Sequence, residues 1–280
     1  MKVTYFGTTT LLFDDGKDQI LFDCHFTRPS LKKYVRGAKV STDEKIIDRL
    51  FEAHHVNRLR AVFVSHTHHD HVMDAPYVAA KTGAVLYGSP SMKNVGLGGN
   101  LPEAQIVEFA DGSEFSVGDF RIRVLKSLHS KPTILNNDLG EPIEKPLAQP
   151  AGLHEYKEGG SYDFYIEHPE KKILIRPSFN YIEHQLDGLQ ADVLFLGVAG
   201  LGKADKETGK RFFRETVAKV KPELVIPVHW DNFFTSLHKP ATGMPGVIEK
   251  TERSFFRVAK YCEKHQIDFV VQIPRTSMHI

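Results

Sequence analysis

The chain is poor in cysteine. Cys24 and Cys262 are its only two, they lie far apart, and neither belongs to a CxxC pair. That excludes a disulfide scaffold and a thiolate-type structural zinc site, and it points to a reducing compartment, the cytoplasm. Net charge is equally scarce. Thirty-six Lys and Arg almost cancel 35 Asp and Glu, leaving +1, which is too little for a broad nucleic-acid footprint or an acidic tail. Long apolar runs are missing as well. No segment approaches about 18 apolar residues, so no membrane span is expected. The start, MKVTYFGTTTLLF, is broken by Thr4, Gly7 and three further threonines, unlike the core of a secretion signal. Histidine, by contrast, is plentiful: fifteen in 280 residues, within an ordinary globular composition of 41% hydrophobic and 25% charged residues.

Periodicity and turn residues give the organisation. Residues 3–6, 9–13 and 19–23 read as strands, with Asp14-Asp15-Gly16 as a hairpin turn. Ser41 and Glu44 form a capping box before the helical spacing of Ile46, Ile47, Leu50 and Phe51. Residues 61–65 form a buried strand that runs into His66. Pro76 and Gly83 bracket a short helix, and Ser89-Pro90 opens another. The Gly-Leu-Gly-Gly run at 96–99 lacks the Lys-Ser/Thr of a phosphate loop and reads as a turn. Hairpins are expected around Gly118-Asp119 and Pro169. A helix over 207–220, a strand over 224–228, a long helix over 249–265 and a last strand over 269–272 complete the chain. The pattern predicts an α/β fold, a four-layer α-β-β-α sandwich of two mixed sheets, in a single domain over 1–280. Residues 130–160 are rich in proline and glycine and are expected to act as a lid loop.

The chemistry concentrates in Ser65-His66-Thr67-His68-His69-Asp70-His71, which ends an apolar strand. Ligand sites of α/β sheets lie at such ends. Residues two apart in turning backbone can converge on one ion, so His66 and His68 can share a metal while Asp70 and His71 serve a second. Imidazole and carboxylate suit Zn, Mn or Fe. His129 and His229 also terminate apolar strands, 122–125 and 224–228. No GxSxG elbow, Cys–His pair or phosphate loop offers a rival source of chemistry.

This constellation resembles the metallo-β-lactamase superfamily. The matching residues are the HxHxDH motif at 66–71, His129, and His229 within Pro227-Val228-His229-Trp230, with Thr4-Tyr5-Phe6-Gly7 and Ile20-Leu21-Phe22-Asp23 resembling its first strands. Within it, the chain looks most like the L-ascorbate-6-phosphate lactonase-like hydrolases. The resemblance implies a first metal on His66, His68 and His129, and a second on Asp70, His71 and His229. It also implies a bridging Asp after the strand over 172–175, where this chain has Ser178. Asp231 is the candidate substitute. One or two divalent ions, zinc foremost, are expected per chain. Asp70 is expected to orient, or take a proton from, the metal-activated water.

The expected activity is hydrolysis of a small anionic ester, lactone or phosphodiester. A nuclease of the same superfamily and a non-catalytic metal-binding sensor are the alternatives. Residues 24–41 carry Arg28, Lys32, Lys33, Arg36 and Lys39 with no acidic residue, a loop suited to an anionic substrate. Arg28 and Arg176, each directly after a strand, are the candidate substrate ligands. His154, His184 and His238 are candidates to protonate a leaving group. Trp230, Phe233, Phe234 and Met244 can wall a pocket or pack a core.

Overall fold

The computed structural model describes residues 1–132 and 137–280. Residues 133–136, part of the segment expected to form a lid, lie outside the described residues. In chain order the strands are β1 (Lys2–Gly7), β2 (Thr10–Asp14), β3 (Gln19–Phe22), β4 (Lys39–Val40), β5 (Leu59–Phe63), β6 (Val85–Gly88), β7 (Ile106–Glu108) and β8 (Glu114–Val117). They continue with β9 (Phe120–Lys126), β10 (Ala151–Gly152), β11 (Tyr162–Glu167), β12 (Lys172–Arg176), β13 (Val193–Gly197), β14 (Leu224–Val228), β15 (Asp268–Phe269) and β16 (Thr276–His279). The helices are α1 (Leu31–Val35), α2 (Glu44–Ala53), α3 (His69–Val72), α4 (Ala75–Thr82), α5 (Pro90–Gly98), α6 (Lys206–Glu215), α7 (Val217–Val220) and α8 (Thr251–His265).

Two seven-stranded mixed sheets result, ordered β16-β1-β2-β3-β5-β6-β7 and β15-β14-β13-β12-β11-β9-β8. Each has an antiparallel half and a parallel half. Pairing switches to parallel at β3–β5 in the first sheet and at β12–β13 in the second. The sheets meet through aromatic rings: Phe13 packs edge-on against Phe195 at 5.6 Å, and Phe22 lies 5.0 Å from Phe164. Alternate residues of the first sheet, Leu12, Leu21 and Val62, join Ile47, Phe51, Val78 and Met92 of α2, α4 and α5 in a second apolar cluster. Phe212, Phe213, Val258 and Cys262 of α6 and α8 pack with β13 and β14. Strands such as 61–64 are therefore buried on both faces, which is why they read as unbroken apolar runs.

Local departures from expectation have physical causes. Asp43, not Ser41, caps α2, its Oδ1 accepting from Ile46 N at 3.3 Å. The glycine run is not a turn but the end of α5, where absent side chains permit close packing. A Cβ on Gly98 would lie 2.1 Å from the Leu147 carbonyl oxygen. The helix over 207–220 breaks at Thr216 (φ −121°, ψ −86°) into α6 and α7. The expected last strand shrinks to β15, and the chain crosses to the other sheet, where β16 pairs antiparallel with β1. β16 was missed because TSMH has no apolar alternation; it is an edge strand whose side chains are mostly exposed.

Candidate metal centre

The C-terminal ends of β3, β5 and β14 deliver Asp23, His66 and His229 to one end of the two sheets. The HxHxDH segment then divides its own ligands. His68 is extended (φ −62°, ψ 149°), and its carbonyl accepts from His71 N and Val72 N as α3 begins. The extended part projects His66 and His68, and the helical turn projects Asp70 and His71.

Two groups form. His66, His68 and His129 bring one donor atom each within 4.8 Å of one another, and Asp70, His71 and His229 do the same. In the first, His68 Nδ1 lies 3.2 Å from His129 Nε2, and the buried His66 Nε2 has no partner among the described residues. In the second, His71 Nε2 and His229 Nε2 are 3.3 Å apart, with Asp70 Oδ2 at 3.6 Å and 3.3 Å from them.

The proton inventory shows what these contacts are. A neutral imidazole has one N–H. His71 commits it through Nδ1 to Asp23 Oδ2 (2.7 Å), His129 through Nδ1 to the Ser130 carbonyl (2.9 Å), and His68 through Nε2 to Asp138 Oδ1 (3.1 Å). The inward nitrogens of these three rings therefore carry lone pairs. His68 and His129 cannot hydrogen-bond each other in that state. Such a pair of lone pairs is stable around a shared cation, so the donor sets fit metal ions.

Burial sets the charge. Burial, then the neighbouring histidines, pushes His66 well below its ordinary value, and burial pushes His129 and His69 to about 4. These rings are neutral at pH 7, as ligands must be. Burial raises the Asp70 carboxyl, but His71 and His229 outweigh it and hold the group well below the usual carboxylate range. His229 shifts upward: burial lowers it, and Asp70 more than reverses that. A cation between them would take the place of that proton. His229 is also held with φ +57°, its N–H donating to the Thr8 carbonyl.

Asp23 was not singled out as a functional residue from sequence. It is fully buried and accepts from Ser65 N (2.7 Å), Ser65 Oγ (2.9 Å) and Thr9 Oγ1 besides His71. An aspartate ending the apolar run ILFD was the available signal, since a buried charge needs partners.

Other candidates are placed differently. Arg28 does not reach the site. Its side chain is 3% exposed and its Nη1 lies 2.7 Å from Asp231 Oδ2. Asp231 in turn accepts from Thr8 N (2.7 Å) and Tyr5 Oη (3.0 Å), so its oxygens are engaged away from a bridging position. Arg176 is also buried, 3.1 Å from Asp163 Oδ2, and its Nη2 donates to the Asn180 carbonyl. Asn180 Nδ2 donates to the His129 carbonyl at 2.7 Å. Arg176 thus braces the His129 loop and does not line the cavity. Ser178 is buried in the turn after β12 and adds no carboxylate. His184 is exposed and pairs with Asp187 at 3.0 Å, and His238 is exposed on the 231–240 loop, so neither lines the cavity.

A cavity of about 910 Å³ opens over both groups. Tyr34, Phe179, Phe212, Phe233, Phe234 and Met244 supply its apolar walls, and His154 stands at its edge with its ring 4.4 Å from Tyr34. Trp230 belongs instead to the core, against Phe255 at 5.3 Å. Lys131 and Arg211 line the cavity, are exposed, and form no ion pair among the described residues.

The described part of the 130–160 segment is stitched down. Ile143 N donates to Ser91 Oγ, Leu147 N to the Asn94 carbonyl, and Gln149 Nε2 to the Met73 carbonyl. β10 pairs antiparallel with β4, joining this segment to the basic loop. These contacts hold residues 139–160 against α5 and the end of α3, and Leu153, His154, Tyr156 and Lys157 of this stretch line the cavity.

Residues 18–230 match the family model described as a beta-lactamase superfamily domain. A curated "UPF0173 metal-dependent hydrolase" of Myxococcus xanthus is 30% identical over 183 residues, covering 62% of this chain and 57% of that protein. The chain thus spans little more than half the length of that relative. Among solved structures, Igni18, described as a metallo hydrolase from the archaeon Ignicoccus hospitalis, superposes with a TM-score of 0.59 at 14% identity, covering 100% of this chain and 98% of that one. CmlA, a diiron beta-hydroxylase from Streptomyces venezuelae, gives 0.60 at 14% identity, covering 100% of this chain and 54% of that one. At such identities these two likenesses concern the fold alone. With its family match and its two large mixed sheets, the chain belongs to the metallo-β-lactamase superfamily.

Proposed function

We propose that this protein is a metal-dependent hydrolase of a small anionic ester, lactone or phosphodiester. One observation supports this above the others: five imidazoles and a carboxylate aim at two adjacent points on the floor of an open cavity. The donor set, nitrogen and oxygen without thiolate, suits zinc, with manganese or iron as alternatives, at one or two ions per chain. A divalent ion held there is a Lewis acid and brings the pKa of water toward 7.

The protein's own groups do the rest. Asp70 directs Oδ2 to the second group, while its Oδ1, 4.0 Å from His69 Nδ1, is the acceptor we assign to the proton of the attacking water. Lys131 and Arg211 take over from Arg28 and Arg176 as the cations that meet an anionic substrate. The aromatic walls accommodate its apolar part. The name of the Myxococcus relative agrees with hydrolysis, and CmlA, similar in fold, is named for a different reaction. Two buried, unpaired cysteines fit a cytoplasmic setting, and no helix among the described residues is long and apolar enough to cross a membrane.

The test is metal analysis of the purified protein, followed by a panel of lactones, phosphodiesters and acyl esters with added zinc or manganese. We expect bound metal and turnover of at least one anionic substrate. Absence of transition metal, with His66→Ala and His129→Ala unaltered in stability, would overturn the metal centre. Metal without turnover, but with metal-dependent ligand binding, would make the protein a sensor. Cleavage confined to nucleic acid would make it a nuclease.

A further inference from the structure

His68 differs from the other histidines of the two groups in where its outward nitrogen is held. The proton of His71 goes to Asp23 at the end of β3, and that of His129 to the next residue's carbonyl. The proton of His68 goes to Asp138, seventy residues away, in the segment that walls the cavity. Asp138 is itself secured through a ring of contacts that leads back to the motif. Glu141 N donates to the Asp138 carbonyl (3.0 Å), and Gly140 N donates to Glu158 Oε2 (2.8 Å). The Glu158 carbonyl then accepts from Thr67 N (2.9 Å), and the Lys157 carbonyl accepts from Thr67 Oγ1 (2.5 Å). Thr67 is the residue between His66 and His68.

We propose that Asp138 is a positioning residue for the first metal and the clasp of the strap over 138–160, so that metal affinity and docking of the strap's first turn are coupled. The proposal rests on the metal-centre reading above. Its chemistry is tautomer choice. With Asp138 accepting at Nε2, the lone pair of His68 is on Nδ1, facing His129 Nε2. Without that acceptor the proton is free to move to Nδ1, and the ring presents N–H to the site. A metal that requires the Nδ1 lone pair therefore also favours the Nε2–H···Asp138 bond, and coupling of this kind works equally in both directions. The rest of the strap is anchored separately on Ser91, Asn94 and Met73, so opening the clasp leaves the fold in place.

The experiment compares wild type with Asp138→Ala, Asp138→Asn and, as control, Glu144→Gln at an exposed position of the same segment. Zinc affinity is read by competition with a chromophoric chelator, and strap order by hydrogen exchange of residues 138–142 with and without zinc. For Asp138→Ala we expect zinc affinity at one site to fall about 10–100-fold, the range for removal of such outer partners. The added protection that zinc gives these amides should disappear with it. Asp138→Asn, whose amide oxygen still accepts, should fall between, and Glu144→Gln should match wild type. If Asp138→Ala does not fold, Asp138→Asn carries the comparison. Wild-type zinc affinity in both Asp138 variants, or an unchanged exchange response to zinc, would overturn the coupling while leaving the metal centre intact. Failure of wild type itself to take zinc, manganese or iron would overturn the metal reading and this inference with it.

Discussion

Arg28 Nη1 and Asp231 Oδ2 lie 2.7 Å apart with both side chains out of solvent, and this pair removes two residues from the site that their sequence positions favoured. Asp231 follows His229 by two residues, and Arg28 opens the basic loop. Each is the other's counter-charge. Arg28→Ala should therefore act on stability, since among the described residues it leaves the buried carboxylate with only Tyr5 and Thr8 as donors. We expect a loss of about 3–5 kcal/mol, measured by urea unfolding of the metal-free protein. A loss below about 1 kcal/mol would mean that the pair is solvated and Arg28 is available to substrate.

Metal stoichiometry should follow the two groups. His66→Ala and His129→Ala should each cost the ion of the first group, and His71→Ala and His229→Ala that of the second, by mass spectrometry of dialysed protein. Ser178→Asp should raise occupancy of the weaker site by restoring a carboxylate. If all four alanine variants lose metal in the same proportion, the groups form one site.

The pH dependence of the metal-free protein has a definite sign. Burial is the main cause that brings His69 and His129 to about 4, whereas an unfolded histidine titrates near about 6.5. Between these values the unfolded chain holds protons that the folded chain does not. Stability should then fall as pH drops from about 6.5 to 4, by about 1.4 kcal/mol per pH unit for each group. His229, raised beside Asp70, works the other way. Its contribution is complete below its unfolded pKa and is lost as pH rises through its folded one. Burial also lowers His25, His54 and His66, so five depressed histidines against one raised leave a net decline toward acid. Urea midpoints at pH 7, 6 and 5 check this, and a midpoint that rises toward pH 5 would contradict it.

Anion recognition should respond at the cavity mouth. Lys131→Ala and Arg211→Ala should each raise KM for an anionic substrate up to about fivefold, the range of an exposed ion pair of about 0.2–1 kcal/mol. KM for a neutral analogue should not move, and added salt should shrink the difference. Equal effects on charged and neutral substrates would assign these residues to shape alone.

The fold was legible because its central strands are buried on both faces and its turns carry the residues that turns require, as at Gly118-Asp119. The positions of His66, His129 and His229 were legible for a related reason, since a polar residue that ends an apolar strand has few places to go. What stayed hidden depended on partners distant in sequence. No local pattern announces that Asp138 meets His68, or that Arg28 closes on Asp231. Arg176 looked available because it follows an apolar run, yet Asp163 on the neighbouring strand draws it inward. The glycines of α5 read as a turn by composition, and only the close approach of Leu147 gives their reason.

The two-residue ribbon of β4 and β10 carries a consequence for divergence. Val40 pairs with Ala151 and Lys39 with Gly152, so the basic loop and the strap share one ladder although about 110 residues separate them. Two walls of one cavity joined in this way cannot change length independently. An insertion in either shifts the register of the other and displaces Tyr34 and His154, which face each other across the cavity edge. Relatives that acquire a new substrate by reshaping this wall should therefore carry paired changes in both segments, inherited as a unit.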